Sequence, residues 1–153
     1  MKFYKSLIII ISCVSSLALA GGAGGTANLE KGVILKGYDP VSYFKGGHPA
    51  KGKPELKAEI DGVTYLFSTT ENKTEFMKSP KKYQPAYEGW CATAVASGSK
   101  SDIDPESFKV TDGRLFLFYK GWKGDAKKDW IKDESGSIKK ADTNWPTVRE
   151  TKD

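Results

Sequence analysis

Cys91 and His48 are the side chains of this sequence best suited to metal or redox chemistry, and each is almost alone. Cys91 is one of two cysteines, the other being Cys13 near the N-terminus, and His48 is the only histidine. A thiolate and an imidazole are good ligands for copper or zinc, but two ligands do not complete a site. Further ligands would have to come from Asp39, Asp61 or a partner chain.

Cys91 lies in the stretch YEGWCATAVASGSK at residues 87–100, and the sequence leaves three roles open for it. The thiol is near the start of a predicted helix, where the partial positive charge of the helix end favours a thiolate. That thiolate would be a metal ligand or a redox nucleophile. Unpaired cysteines are also among the most buried residues, and Trp90 and Ala92 flank this one, so the third role is a small core residue.

A second candidate site is the stretch GYDPVSYF at residues 37–44, which is dense in aromatics around one acid. One interpretation is a ligand pocket with Tyr38 and Tyr43 as walls and Asp39 as the polar anchor. The other is a turn in which Asp39 hydrogen-bonds the backbone before Pro40 while the aromatics lie in the core. A ligand would bind where this stretch meets the Cys91 helix. The candidate ligand-binding residues are Tyr38, Asp39, Tyr43, Trp90 and Cys91, and the candidate metal ligands are Cys91 and His48.

The sequence holds no recognisable catalytic constellation. A Ser-His-Asp triad would need His48, which lies in a Gly-Gly-His-Pro turn without supporting residues. There is no Gly-rich phosphate loop and no Cys-x-x-Cys motif. We therefore predict a protein that is not an enzyme and requires no cofactor, with copper or zinc as possible ligands.

The N-terminal residues are typical of a secretory signal peptide. Two lysines precede an apolar run that ends in Ala-Leu-Ala at residues 18–20, a small-residue cleavage site. We predict a signal peptide at residues 1–20 and export to the periplasm or the medium. Ile-Ile-Ser-Cys, ending at Cys13, is an alternative lipoprotein site that would give the chain a lipid anchor. No later apolar stretch is long enough to span a membrane.

The length of the chain and its net charge bear on the number of domains and on nucleic-acid binding. The 153 residues suffice for one domain, which we place at residues 29–153 after a Gly-rich flexible tether at residues 21–28. The net charge of +5 becomes 5 − 2 = +3 once the two lysines of the signal peptide are removed. This charge is too small to predict nucleic-acid binding.

Two hairpins and several short helices are predicted, without the alternation of strand and helix that builds parallel sheets. Asp-Gly and Thr-Asp-Gly-Arg turns separate apolar runs typical of strands. The fold class is therefore α+β, a small single domain. The hairpins comprise residues 57–68 and 108–119. Four helices are predicted. The first is capped by Ser68 and ended by Pro80, and the second runs through Trp90 and Cys91 and stops at Gly98. The third is capped by Asp125 and carries Trp130, and the fourth is capped by Ser137 and closed by Pro146. Most of the four tryptophans are expected in the core.

The stretch EIDGVTYLFSTTENKTEFMKSPKKY at residues 59–83 resembles the YHS domain family. The aromatic, glycine and proline positions agree at fixed offsets, and GYDPVSYF is similar to the family's Asp-Pro-Val-Cys opening. The rest of the chain looks like the exported, single-domain branch of that family. The matching positions in the longer stretch are Glu59, Gly62, Thr64, Tyr65, Phe67, Phe76, Pro80 and Tyr83.

This resemblance implies a YHS-like fold but not the family's metal site. Family members are regarded as binding metal through cysteines, and those positions are Ser42, Ser68 and Asn72 here. The signature Tyr-His pair falls on Ile60 and Asp61. Neutral oxygens of serine and asparagine are poor ligands for the soft ions that thiolates hold.

The most economical hypothesis is an exported, non-enzymatic binding module for a small ligand or a protein partner. The first alternative is a periplasmic copper or zinc carrier that uses Cys91, with His48 or a second copy of the chain. The second is a thiol-redox protein that uses Cys91 alone, which would require an exposed and activated thiol.

Overall fold

The computed structural model describes residues 25–152. Helices and strands both contribute, and sheets pack against helices in one small domain, so the α+β prediction is confirmed. The predicted signal peptide, Cys13 and the first four residues of the predicted tether lie outside the described residues. None of the helices between residues 25 and 152 is long and apolar enough to cross a membrane.

The first sheet consists of the four strands β1 Leu29–Glu30, β2 Val33–Ile34, β3 Lys53–Ile60 and β4 Val63–Phe67. Their order in the sheet is β1-β2-β4-β3. Strand β2 is parallel to β4, and the pairs β1/β2 and β3/β4 are antiparallel. Asp61 and Gly62 connect β3 to β4 with φ angles of 51° and 78°, the left-handed conformation that an Asp-Gly turn favours. The predicted first hairpin is thus confirmed.

The second predicted hairpin is also confirmed, and it consists of β5 Asp104–Thr111 and β6 Arg114–Phe118. A third, very short hairpin follows it, formed by β7 Lys120–Gly121 and β8 Gly124–Asp125. Two-residue strands give no alternation of apolar and polar residues, and the sequence did not predict this hairpin.

Five α-helices and four single 3-10 turns complete the described chain. The α-helices are α1 Thr70–Lys78, α2 Pro80–Tyr83, α3 Ala92–Ala96, α4 Lys127–Trp130 and α5 Glu134–Arg149. The 3-10 turns are Leu35–Gly37, Ser42–Phe44, Ala86–Gly89 and Ile131–Asp133.

Helix α1 does not begin at Ser68 as predicted. Its N-cap is Thr69, whose hydroxyl accepts a hydrogen bond from the Asn72 backbone N–H at 3.1 Å. The Ser68 hydroxyl instead donates to Asp39 and accepts from the Asn72 side-chain amide at 3.3 Å. The helix ends at Lys78, and Pro80 opens α2, because proline at the first helical position needs no N–H partner.

Helix α5 is longer at both ends than predicted. Asp133, not Ser137, is its N-cap and accepts a hydrogen bond from the Gly136 N–H at 3.0 Å. Pro146 lies inside the helix rather than ending it, and the last turn is retained with Val148 buried against the core. The N-cap of α4 is Ala126, one position after the predicted Asp125, although the Asp125 carboxylate accepts from the Lys127 N–H at 3.0 Å.

Strand β6 divides the core into two clusters. Leu115 and Leu117 belong to the first cluster, under the four-stranded sheet, together with Cys91. Phe116 and Phe118 belong to the second, against α3, α4 and α5. The four apolar side chains of β6, from Leu115 to Phe118, are fully buried, and Arg114 at its start is partly exposed. The strand is buried although it pairs with β5 alone in a two-stranded sheet. Trp130 is fully buried and Trp90 largely so, in agreement with the prediction for most tryptophans.

The end of the predicted tether is part of the folded domain. The Asn28 backbone N–H donates to the Glu88 carbonyl at 3.0 Å, and its side chain donates to the Gly89 carbonyl at 3.1 Å. The Trp90 indole donates to the Thr26 carbonyl at 2.8 Å. Residues 26–28 are thus held against the Ala86–Gly89 turn, and the domain begins before Leu29.

Candidate functional site

The predicted polar anchor, Asp39, is completely buried. One carboxylate oxygen accepts a hydrogen bond from the Val41 N–H at 2.9 Å. The other accepts three, from the Ser68 N–H at 2.8 Å, the Ser68 hydroxyl at 2.6 Å and the Asn72 amide at 2.7 Å. Asp39 therefore lies in a turn within the core, as the second interpretation expects, and not on the wall of an open pocket.

Ser42 completes the polar cluster around Asp39. Its hydroxyl donates to the Asp39 carbonyl at 2.6 Å and accepts from the Ala50 N–H at 2.9 Å. Ser68 and Asn72 also contact each other, with 3.3 Å between hydroxyl oxygen and amide nitrogen. The three positions to which the resemblance assigns ligand cysteines thus meet at one place. We call the group of Asp39, Ser42, Ser68 and Asn72 the Asp39 hub.

The Asp39 hub does not fit a metal held by thiolates. It contains no sulfur, and the hydroxyl and amide groups that replace the cysteines are neutral. Its single carboxylate already accepts four hydrogen bonds. Within residues 25–152, no group of three or more His, Cys, Asp or Glu side chains is placed to hold a metal ion.

A chain of charges links the Asp39 hub to the surface of α1. The Asn72 amide donates to Asp39 and its carbonyl oxygen accepts from Lys45 at 2.6 Å, so its dipole lies between an anion and a cation. Lys45 also pairs with Glu75 at 3.0 Å, and Tyr83 donates to the same glutamate. The hydrogen bond from Tyr83, followed by that from Lys45, lowers the pKa of Glu75.

The two tyrosines predicted as pocket walls lie in different environments. Tyr43 is buried, its hydroxyl donates to the Pro105 carbonyl at 2.9 Å, and its ring packs edge-on against Phe108. Burial raises the pKa of Tyr43 well above its usual value. Tyr38 is half-buried and donates to Glu106 at 3.3 Å, and burial followed by that carboxylate raises its pKa. Tyr43 is a core residue and Tyr38 lies at the edge of the core.

Cys91 is a buried residue just before helix α3 and is only 1% exposed. Its sulfur accepts a hydrogen bond from the Tyr119 N–H at 3.3 Å, and its backbone bridges to Leu117 of the buried strand β6. Trp90 belongs to the other core cluster. His48 is exposed, so Cys91 and His48 are not two ligands of one surface site.

One cavity lies between the Leu35–Gly37 turn and the loop that follows α3. It measures about 270 Å³, and none of the five predicted ligand-binding residues lines it. Two of its charged side chains are paired with each other, because Asp102 accepts from Lys36 at 2.6 Å, and Asp102 also accepts from Asn28 at 3.1 Å. Burial alone would raise the pKa of Asp102, but these hydrogen bonds outweigh burial and lower it.

The most exposed aromatic side chain was missed by the sequence reasoning. Trp122 is 89% exposed at the tip of the β7–β8 hairpin, although most tryptophans were expected in the core. The signal was present in the sequence: Trp122 stands in Lys-Gly-Trp-Lys-Gly, a turn-forming stretch without a neighbouring apolar residue.

The predicted site is therefore a closed polar cluster and part of the core rather than an open pocket. No family model, curated protein or solved structure matches the chain.

Proposed function

We propose that the chain is an exported, non-enzymatic binding module of YHS-like fold, in which a hydrogen-bonded carboxylate replaces the metal site of that family. The observation that carries this proposal is the convergence of Ser42, Ser68 and Asn72 on Asp39. Ser42 lies in a 3-10 turn, Ser68 follows β4 and Asn72 lies in α1. Only the motifs shared with the family single out these three positions together. Their meeting supports the resemblance.

The Asp39 hub has the reverse polarity of a thiolate metal site. In a metal site, anionic ligands surround a cation, whereas here four hydrogen-bond donors surround one buried anion. A fully hydrogen-bonded buried carboxylate fixes neighbouring elements in place. The hub thus has a structural role, and a ligand or partner would bind to residues on the surface of the domain.

The two alternatives that rely on Cys91 have less support. A carrier or redox thiol must meet its metal or oxidant, and Cys91 is 1% exposed. Its sulfur already accepts the Tyr119 N–H, and the described residues offer no cluster of further ligands. In either alternative, strand β6 would have to move away from Cys91 so that the thiol becomes accessible to solvent.

Thiol titration combined with metal analysis tests the proposal against these alternatives. The chain used is the mature one, without residues 1–20, so that Cys91 is its only thiol. We expect this thiol to resist a thiol reagent at neutral pH in the folded chain and to react fully in denaturant. We also expect neither Cu(I) nor Zn(II) to remain bound after dialysis. A metal that stays bound in the parent and is lost in Cys91→Ala would overturn the proposal, as would a rapidly reacting thiol.

The reciprocal experiment tests the resemblance itself. The triple variant Ser42→Cys, Ser68→Cys, Asn72→Cys, combined with Asp39→Asn, should gain tight Cu(I) or Zn(II) binding. The control places three cysteines at the exposed positions Ser79, Ser97 and Ser135 and should gain none. Circular dichroism establishes that each variant is folded. A folded hub variant that binds no more metal than the control would remove the support for the family likeness.

A further inference from the structure

The β7–β8 hairpin presents one tryptophan to solvent. Lys120 pairs with Asp125 and Gly121 with Gly124, so Trp122 and Lys123 form the turn at the tip. The Lys123 ammonium lies 5.0 Å from the centre of the indole ring. An 89% exposed indole carries a large apolar surface that the fold does not use.

The base of this hairpin is fixed to the domain. The Ala126 N–H donates to the Tyr119 carbonyl at 3.0 Å, and the Ser107 hydroxyl donates to Asp125 at 3.1 Å. The Tyr119 phenol covers Gly121 so closely that a Cβ there would lie 2.6 Å from its oxygen. These contacts fix the base of the hairpin that carries Trp122, which reduces the backbone entropy lost on binding.

Positive charge is concentrated around the hairpin. Residues 119–132 contain five lysines and two aspartates, a net charge of 5 − 2 = +3, against +5 for all 153 residues. Lys123, Lys128 and Lys132 line one groove of about 460 Å³ beside the hairpin. Lys132 pairs with Asp129 at 2.7 Å. Lys120, Lys123 and Lys128 form no ion pair with any other residue in the range 25–152.

A second apolar side chain lies among these lysines. Ile131 is 55% exposed and follows Lys128 by three positions in helical backbone, so the two share a face. Among residues 25–152, the exposed large hydrophobic side chains are Trp122, Ile131 and Met77, and the first two belong to this region. We call the group of Lys120, Trp122, Lys123, Lys128, Ile131 and Lys132 the Trp122 surface.

We propose that the Trp122 surface binds the headgroup region of a bilayer that contains anionic phospholipids. Tryptophan is favoured at the boundary between headgroups and acyl chains, and lysines beside it attract lipid phosphates. The indole projects from a hairpin tip, a shape suited to insertion between headgroups rather than to a flat protein partner. This inference names a partner for the proposed binding module and rests on that proposal, but it uses none of the residues of the Asp39 hub.

Vesicle co-sedimentation tests this inference. The full chain is expressed, and the form that accumulates is used for parent and variants alike, so any contribution of residues 1–24 is common to all. Vesicles of phosphatidylglycerol and phosphatidylcholine are compared with pure phosphatidylcholine. We expect stronger binding to the anionic vesicles than to the neutral ones. We also expect weaker binding in about 1 M salt, where the Debye screening length falls to about 3 Å.

The variants separate insertion from charge attraction. Trp122→Ala should weaken binding to anionic vesicles about tenfold, because it removes the buried indole. Lys123→Gln with Lys128→Gln should weaken it about fivefold for each lysine. Bromine-labelled acyl chains should quench emission in the parent and much less in Trp122→Phe. All these side chains are exposed, so the variants are expected to fold.

Matched controls change the same chemistry on other faces. Lys53→Gln with Lys57→Gln alters two exposed lysines of β3, and Met77→Ala removes the exposed apolar side chain of α1. Both should bind like the parent. Equal binding of parent and Trp122→Ala would overturn the inference. So would loss of binding only in the lysine variants, which would show that charge alone attracts the chain to the vesicles and that the indole does not insert. The metal and thiol experiments of the proposed function use other residues, and their results do not change the vesicle binding. Failure of the membrane inference can therefore be distinguished from failure of the proposed function.

Discussion

Asp39 and Asn72, 33 positions apart in the sequence, are joined by a hydrogen bond of 2.7 Å that ties the Asp39 turn to helix α1. The same asparagine accepts from Lys45 at 2.6 Å on its other side. A buried negative charge and a surface positive charge are thereby connected through one amide. The contact between the Asp39 turn and helix α1 therefore depends on the charge of the Asp39 carboxylate.

Replacing that charge tests its role. Asp39→Asn puts an NH₂ group where the carboxylate accepts hydrogen bonds, so at least one buried donor loses its partner. We expect the free energy of unfolding to fall by about 3–5 kcal/mol, since several buried donors depend on this side chain. Urea denaturation measures the change.

The control for this variant is Asp129→Asn, the same chemical change in a side chain that is 66% exposed and paired only with Lys132. Its effect should stay within about 0.5 kcal/mol. Similar stability losses in the two variants would show that Asp39 is not a structural centre.

Asp142 gives the domain a defined pH dependence. Arg114 donates to both of its carboxylate oxygens, at 3.0 and 2.7 Å, and joins α5 to β6. This hydrogen bonding is the main reason that the pKa of Asp142 is lowered in the folded chain. The resulting stability is present above the unfolded pKa of about 3.9 and is lost as the pH falls through the lower folded pKa.

The measurement compares urea midpoints of the parent and Asp142→Asn from neutral pH down to about pH 2, a range that includes the unfolded pKa. Because both side chains are more than a third exposed, the neutral-pH difference should not exceed about 1 kcal/mol. The difference should shrink as the pH falls. A difference that is independent of pH would contradict the assignment.

Gly52 is required by close packing and not by its backbone conformation. A Cβ at this position would lie 2.4 Å from the Cβ of Leu66 and 2.6 Å from its backbone carbon. Gly52→Ala must therefore push strand β4 away from the start of β3. We expect a loss of about 3 kcal/mol, at the upper end for overpacking, measured by thermal or urea unfolding.

Gly25 provides the comparison for this substitution, because a Cβ there meets no atom within 4 Å. Gly25→Ala should change the free energy of unfolding by no more than about 0.5 kcal/mol. An equally small effect at Gly52 would mean that β3 and β4 can separate locally without loss.

Pro146 offers a stabilising change. It is exposed within α5 and has no N–H to donate to the carbonyl four residues earlier, that of Asp142. Pro146→Ala restores this donor and loses no buried contact. We expect the free energy of unfolding to rise by about 1–2 kcal/mol. Alanine is the better helix residue, but part of its benefit is lost because removing the proline ring increases the conformational entropy of the unfolded chain.

Thr147→Ala, one position further along the exposed side of the same helix, separates the proline effect from general helix propensity and should gain about 0.5 kcal/mol. If Pro146→Ala were less stable than the parent, the turn around residues 142–146 would depend on the proline ring.

Local signals explain what the sequence predicted correctly. The Asp-Gly turns that join β3 to β4 and β5 to β6 need no distant residue, because the turn geometry follows from two adjacent positions. The start of α5 was missed because Asp133 and Ser137 are both good N-cap types. Its end was missed because burial of Val148 keeps the last turn helical despite Pro146.

The candidate site was harder to predict because it depends on contacts across the fold. Whether Asp39 anchors a pocket or closes a turn is decided by Ser68 and Asn72, which lie 29 and 33 residues away. Similarly, no local pattern distinguishes a buried Cys91 from a reactive one. The position of strand β6 beside it decides the question.

The placement of β6 between the two core clusters has a consequence for how the protein unfolds. Leu115 and Leu117 complete one cluster while Phe116 and Phe118 complete the other, so the two halves share a single strand. Neither half can melt without uncovering apolar side chains of the other. The domain should therefore behave as one cooperative unit, with the β3–β4 hairpin and helix α5 losing structure at the same denaturant concentration.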